Sequence, residues 1–203
     1  MSGFDGRIEL LAAHHDRRNF SCGEPALDEY LSRYARQHAD ARVSRTYVAA
    51  KDKIVCGYYS LAMSAISRKN LPNGHGKHAA PNDKTRHARF PLPPAGEGGK
   101  GSLREPHAKS HQSRLPNFPL PVARLARLAV DARYQRLGLG ELLLMDALHR
   151  CLLLSEEIGM IGVVLDAKHK QAKAYYQRFE FEEFPDAPLT LWLPVGAIQK
   201  LFG

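Results

Sequence analysis

Leu142, Leu143, Met145, Leu148, Leu152 and Leu153 recur at the three-and-four spacing of a helical face, predicting a helix that opens near Gly138 to Glu141 and runs to about Glu157. Ala26, Leu27, Tyr30, Leu31, Tyr34 and Ala35 repeat the pattern after Pro25, a residue suited to a first helical turn, and predict a helix to about Ala39. Lys170 to Phe179 is a third amphipathic stretch, and Val195 to Phe202 fits a short closing helix. Between these lie apolar runs too short for helices. RIELLAA (7–13) predicts a first strand. Tyr47 to Ala50 and the long, almost uncharged run Ile54 to Ile66 flank the polar turn Lys51-Asp52-Lys53 and predict a hairpin. Gly57 within the second run suggests a bulge or a close backbone approach. VARLARLAVD (122–131), Met160 to Asp166 and Leu189 to Leu193 complete the strands. Alternating strands and helices predict an α/β (α+β) domain on a mixed sheet.

One segment breaks this pattern. Residues 72–114 hold three large apolar residues, Phe90, Leu92 and Leu103, and carry eight Lys/Arg against three acids. Such a stretch cannot bury enough to offset its ordering entropy, so a disordered insertion within one domain spanning 1–203 is expected. PLPPAGEGG within it resembles peptides translated from repeated bacterial DNA elements. The formal net charge of +8 points to an anionic partner, but +5 of it lies in this segment. Five of the ten histidines are also here, irregularly spaced and without cysteine, so no metal site is expected. Three cysteines without paired spacing argue against a disulfide framework and for a reducing compartment. The first residues do not read as a signal peptide, and no run of about 18 apolar residues is present, so a cytoplasmic protein without a membrane span is expected.

The chemistry gathers at RYQRLGLGELLL (133–144). A strand feeds a loop that opens a helix, whose unpaired N–H groups and partial positive charge suit a phosphate. Glycines there let the backbone approach an anion without a Cβ in the way. Arg133 and Arg136 could add charge at the rim. The dinucleotide fingerprint fails, because Leu143 stands where its third glycine belongs. The phosphate-binding P-loop fails because Glu141-Leu142 follow Gly140.

Gln135-Arg136-Leu137-Gly138-Leu139-Gly140 after LARLAVD resembles the coenzyme A motif of the GNAT acetyltransferase superfamily. FSCGEPALDEYL, GYYSLAMSAI, SEEIG, VVLDAK and AYYQRFEF are similar to blocks of the GNAT toxins of bacterial toxin–antitoxin modules, in the same order. The resemblance covers about residues 5–71 and 115–202. It implies a mixed, mostly antiparallel sheet flanked by helices and splayed between its fourth and fifth strands. It implies acetyl-CoA as co-substrate, its pantetheine arm along Leu128, Ala129 and Val130 and its pyrophosphate on Gln135, Arg136, Leu137, Gly138, Leu139 and Gly140. The acceptor implied is the α-amino group of an aminoacyl-tRNA, and the partner implied is a small DNA-binding antitoxin; whether the chain forms a homodimer stays open in the sequence.

Acetyl transfer needs a neutral amine, a stabilised oxyanion and a proton for the leaving thiolate, which tyrosine can supply. Tyr175 and Tyr176 are the candidates, and the resemblance selects Tyr176. A backbone N–H of a bulged strand near Val130 fits the oxyanion. Asp131 and Asp166 are the available carboxylates, each also placed to end a strand. Arg33, Arg36 and Arg127 are candidates for tRNA phosphates. Arg124 is a further one, although a flat strand would put it and Arg127 on opposite faces and only a bulge would change that. The family usually has glycine where Glu180 stands, and a positive φ there would strain the turn. A GNAT enzyme acting on a small amine or a protein N-terminus, and an inactive module held by its antitoxin, are the alternative expectations.

Overall fold

The computed structural model describes residues 4–72 and 118–203. Apart from Pro72, the insertion expected at 72–114 lies outside the described residues. Strands β1 (Arg7–Leu10), β2 (Arg45–Lys51), β3 (Ile54–Ile66), β4 (Leu120–Val130), β5 (Gly162–Asp166), β6 (Glu182–Phe184) and β7 (Ala187–Pro194) form one sheet in the order β1-β2-β3-β4-β5-β7-β6. Every neighbouring pair is antiparallel except β4 and β5. Parallel neighbours need a crossover, and helix α3 (Leu139–Ile158) supplies it.

The hairpin closes through Asp52 and Lys53 alone, both at positive φ (48° and 71°), the backbone hand that matches strand twist in a two-residue turn. A register shift between Ala49 and Ala50 leaves Cys56 as the extra residue. Beside it, Gly57 is a close approach: a Cβ there would lie 2.8 Å from Leu143 Cδ1 and 3.1 Å from the Ala129 carbonyl oxygen. The expected first helix is a continuous run of α1 (Pro25–Glu29), a π-helical turn (Tyr30–Tyr34) and α2 (Ala35–Asp40). The strand β6 was not foreseen, because three residues carry too little periodicity to read.

The helices bury opposite faces of the sheet. Leu139, Leu143, Leu144, Ala147, Leu148 and Cys151 of α3 pack on Tyr59, Leu61, Ala123, Leu125, Val163 and Leu165, and α4 (Lys170–Gln177) and α5 (Val195–Phe202) join this side. Tyr30, Leu31 and Ala35 cover the other face over Val48, Val55, Tyr58 and Ala129. Burial of each large apolar side chain contributes about 1.5–3 kcal/mol, so both layers hold the sheet's centre in place. Among the described residues no helix is long and apolar enough to cross a membrane.

Candidate functional site

β4 and β5 pair only at Ala123↔Val163 and Arg124↔Val164. Beyond that point the strands part, and residues 125–130 of β4 have no strand on their β5 side among the described residues. Arg124 and Asp166 form an ion pair at the fork, and the Thr190 hydroxyl donates to Asp166 at 2.8 Å. Asp166 is therefore a clamp at the split, with its oxygens already engaged.

A second irregularity lies in β4. Ser60 pairs Arg127 while Leu61 pairs Leu125, so Ala126 is an extra residue. The bulge falls there and not beside Val130. It also overturns the flat-strand expectation: opposite Ala62 and Ser60, Arg124 and Arg127 share the face covered by α1 and α2. The Arg127 guanidinium lies 3.6 Å from the centre of the Tyr30 ring. Tyr30 is buried, and its hydroxyl hydrogen-bonds the hydroxyls of Ser44 (3.1 Å) and Thr46 (3.3 Å). Arg33 is exposed and pairs with Glu29 at 3.0 Å, and Arg36 is exposed on α2. The three tRNA candidates thus belong to one side of the sheet.

At the end of β4 the chain turns sharply. Asp131 is buried and accepts from the backbone N–H groups of Ser21 (3.1 Å) and Arg133 (3.0 Å) and from the Arg133 guanidinium. Burial pushes its carboxyl up, but these donors carry it below its ordinary value, so Asp131 is a turn anchor without a free lone pair for base work. Arg133 is spent on that anchor, which leaves exposed Arg136 as the cation at the rim. The Gln135 side-chain amide donates to the carbonyls of Cys22 (2.9 Å) and Val130 (3.0 Å). It ties the loop to the strand end, a role that spacing alone did not reveal.

Arg136 and Gly138 both take positive φ (62° and 85°), with exposed Leu137 between them. Such alternation turns successive N–H groups toward one concavity, a nest for an anion, continued by the first amides of α3 at Leu139 and Gly140. A Cβ on Gly140 would lie 3.6 Å from the Tyr175 hydroxyl and 3.7 Å from Val130 Cγ2. The fold therefore brings together three elements: the helix mouth, the β4 end and helix α4. An open pocket of about 530 Å3 flanks the mouth, lined by Phe4, Leu137, Gly138, Leu139, Glu141, Leu142 and Met145.

The tyrosine pair lies in the amphipathic face of α4. Tyr175 packs edge-on against Phe179, and Tyr176 against Phe181. Burial pushes both hydroxyls up to about 12, Glu141 adding to the rise for Tyr175 and Tyr175 to that for Tyr176. Both hold their protons at neutral pH. The Tyr175 hydroxyl is buried without a hydrogen-bond partner among the described residues. An orphaned donor beside a bare helix mouth is what a missing acceptor leaves behind, and a phosphate or pantetheine oxygen there fits it. Sequence reading passed over Tyr175 because its neighbour matched the family motif. Burial pushes the Cys22 and Cys151 thiols up to about 12, so neither is a thiolate nucleophile at neutral pH.

Glu180 closes α4 at φ 64°, the left-handed conformation that glycine adopts freely. Glu180→Gly is expected to stabilise the fold by about 1 kcal/mol, read from the urea-unfolding midpoint. An unchanged or lower midpoint would show that the turn carries no strain.

Comparison with known proteins agrees with this arrangement. Residues 100–183 match the family model described as "Acetyltransferase (GNAT) domain". The chain is 32% identical over 203 residues to the tRNA-acetylating toxin of Mycobacterium tuberculosis, covering 100% of this chain and 99% of that protein. The crystal structure of a tyrosine-to-phenylalanine mutant of KacT superposes with a TM-score of 0.72 at 25% identity, covering 97% of this chain and 98% of that one. AtaT complexed with acetyl-methionyl-tRNAfMet shares the fold, with a TM-score of 0.74 at 24% identity over 98% of this chain and 100% of that one. A forked sheet, a bare helix mouth at the fork and full-length likeness to an acetylating toxin lead to one assignment: the chain belongs to the GNAT acetyltransferase family.

Proposed function

We propose that this acetyltransferase moves the acetyl group of acetyl-CoA onto the free α-amino group of an aminoacyl-tRNA, giving an N-acetylated product that cannot elongate a peptide. The observation that carries the acceptor is the likeness, over the whole chain, to a protein named as a tRNA-acetylating toxin. The described fork and helix mouth supply a place for the donor.

The amides of Arg136 to Gly140 take the diphosphate, and Arg136 adds charge at the rim. The unpaired edge of β4 at Leu128, Ala129 and Val130 takes the pantetheine amides. The Val130 carbonyl is already engaged by Gln135, so Leu128 and Ala129 carry more of that pairing. The neutral amine attacks the thioester carbon, the carbon–sulfur bond breaks, and Tyr176 gives its proton to the departing thiolate. The amine's surplus proton passes to water, since Asp131 and Asp166 are both engaged elsewhere. Arg33, Arg36 and Arg127 meet tRNA phosphates on the α1/α2 side. Such an enzyme works in the cytoplasm, and a small DNA-binding antitoxin restrains it.

Two groups set the pH dependence. The acceptor must lose its proton, at about pH 7–8 for an α-amine, and Tyr176 must keep its own. With the tyrosine pushed up to about 12, the acetylation rate should rise through neutral pH and stay level to about pH 10. A fall beginning near pH 8 in initial rates corrected for spontaneous hydrolysis of the aminoacyl ester would speak against Tyr176 as the acid. The reading itself is tested by incubating the protein and labelled acetyl-CoA with a charged tRNA pool and with the same pool deacylated. Label confined to the charged pool, released as N-acetyl amino acid, is expected. Label on small amines with charged tRNA untouched would replace this acceptor.

A further inference from the structure

The segment before α1 and the loop after β5 meet across the open end of the fork. Hydrogen bonds hold the first of these to the end of β4: the Ser21 N–H donates to the Asp131 carboxylate, the Ala132 N–H to the Ser21 carbonyl, and the Gln135 side-chain amide to the Cys22 carbonyl. The second runs from Asp166 at the end of β5 to His169, whose Nδ1 accepts from the Ala172 N–H at the start of α4. Glu24 from one side and Lys168 from the other form an ion pair. It spans the gap that opens as the two strands diverge, and Glu24 stands on the α1/α2 side, opposite α3.

Two features set this pair apart from the other ion pairs of the site. Asp166 is also held by Thr190, and Asp131 by Ser21. The Glu24 and Lys168 side chains have only each other among the described residues. Glu24 is also the N-cap residue of α1, yet its side chain makes no capping hydrogen bond. The Leu27 and Asp28 N–H groups donate instead to the Glu24 carbonyl, and the carboxylate reaches across the gap to Lys168. Both side chains are open to water, at 38% for Glu24 and 61% for Lys168, and a pair this exposed is a weak tie. It is a poor strap and an easily exchanged pair of charges.

Resting on the proposed acceptor, we infer that Glu24 and Lys168 form its charge-matched entrance. The end of a charged tRNA carries an α-ammonium and, close by, backbone phosphates. Glu24 receives the ammonium and Lys168 a phosphate, each leaving its present partner for a substrate group of the same sign. Charge is conserved in this exchange, so little desolvation goes uncompensated. The device selects charged over blocked tRNA ends at the binding step, before acetyl transfer. Glu24 and Lys168 are positioning residues: the reacting amine must still shed its proton to attack.

The test measures binding of the full-length protein, without acetyl-CoA, to a charged tRNA pool and to the same pool chemically N-acetylated. Wild type should prefer the free-amine pool by about two- to fivefold. Glu24→Gln should abolish that preference. Lys168→Met should weaken both pools equally and reduce the salt slope of binding by about one. The swap Glu24→Lys with Lys168→Glu restores an ion pair and should not restore the preference. Full rescue by the swap would identify a structural strap and overturn the inference. So would a Glu24→Gln protein that keeps its preference, or one that loses acetyl-CoA binding and thermal stability together. If wild type acetylates no charged tRNA at all, the acceptor assignment fails; if it does and these variants bind as wild type, only the entrance fails.

Discussion

Tyr176→Phe is expected to lower the acetylation rate of charged tRNA by roughly 10²-fold or more while leaving acetyl-CoA affinity within about twofold. The substitution removes one oxygen from a half-buried side chain packed on Phe181. The ring and its packing remain, so the fold should hold. What is lost is the proton source proposed above, which burial keeps loaded with its hydroxyl pushed up to about 12. The thiolate must then depart unprotonated or take a proton from water. Tyr175→Phe gives the contrast. The Tyr175 hydroxyl is buried without a partner among the described residues, so its loss should cost the free protein little and weaken acetyl-CoA binding several-fold. A Tyr175→Phe enzyme that loses turnover while Tyr176→Phe keeps it would exchange the two roles.

The second large effect belongs to Gly140. A Cβ there meets only ordinary contacts in the free protein, 3.6 Å to the Tyr175 hydroxyl and 3.7 Å to Val130 Cγ2. Gly140→Ala should therefore leave the melting temperature nearly unchanged or raise it, since alanine also suits a helix better than glycine. The added methyl fills space assigned to the diphosphate. Calorimetry should show acetyl-CoA affinity reduced by at least about tenfold. Equal affinity in the variant would place the diphosphate elsewhere. Gly138 is a poorer probe, because at φ 85° any side chain strains the loop by itself.

The course of the main elements was legible from residue spacing. The leucine rows of α3 and the hairpin around Asp52-Lys53 stand where periodicity put them, because each buries a wide face or needs a particular turn. The fork was legible only by resemblance: nothing in LARLAVD or GVVLD says that the strands pair at two positions and then part. The bulge at Ala126 was hidden for the same reason, since one extra residue in a ladder leaves no mark on composition. It sets Arg124 and Arg127 on one face, where a flat strand would have parted them. The tyrosines were found by motif, but which hydroxyl faces the helix mouth depends on how α4 is rotated. Gln135 read as a cofactor contact, and its amide proves to tie Cys22 to Val130 across 113 and 5 residues of chain. Long-range partners of this kind are invisible to spacing. Glu180 went the other way: a glycine expected from resemblance and absent from the chain located a left-handed residue.

A crystal structure of the full chain with acetyl-CoA tests the account at its centre. The diphosphate oxygens should lie within roughly 3.2 Å of the amides between Arg136 and Gly140, with the thioester between the diverging ends of β4 and β5. A diphosphate bound away from that helix mouth, or a pantetheine arm outside the fork, would contradict it.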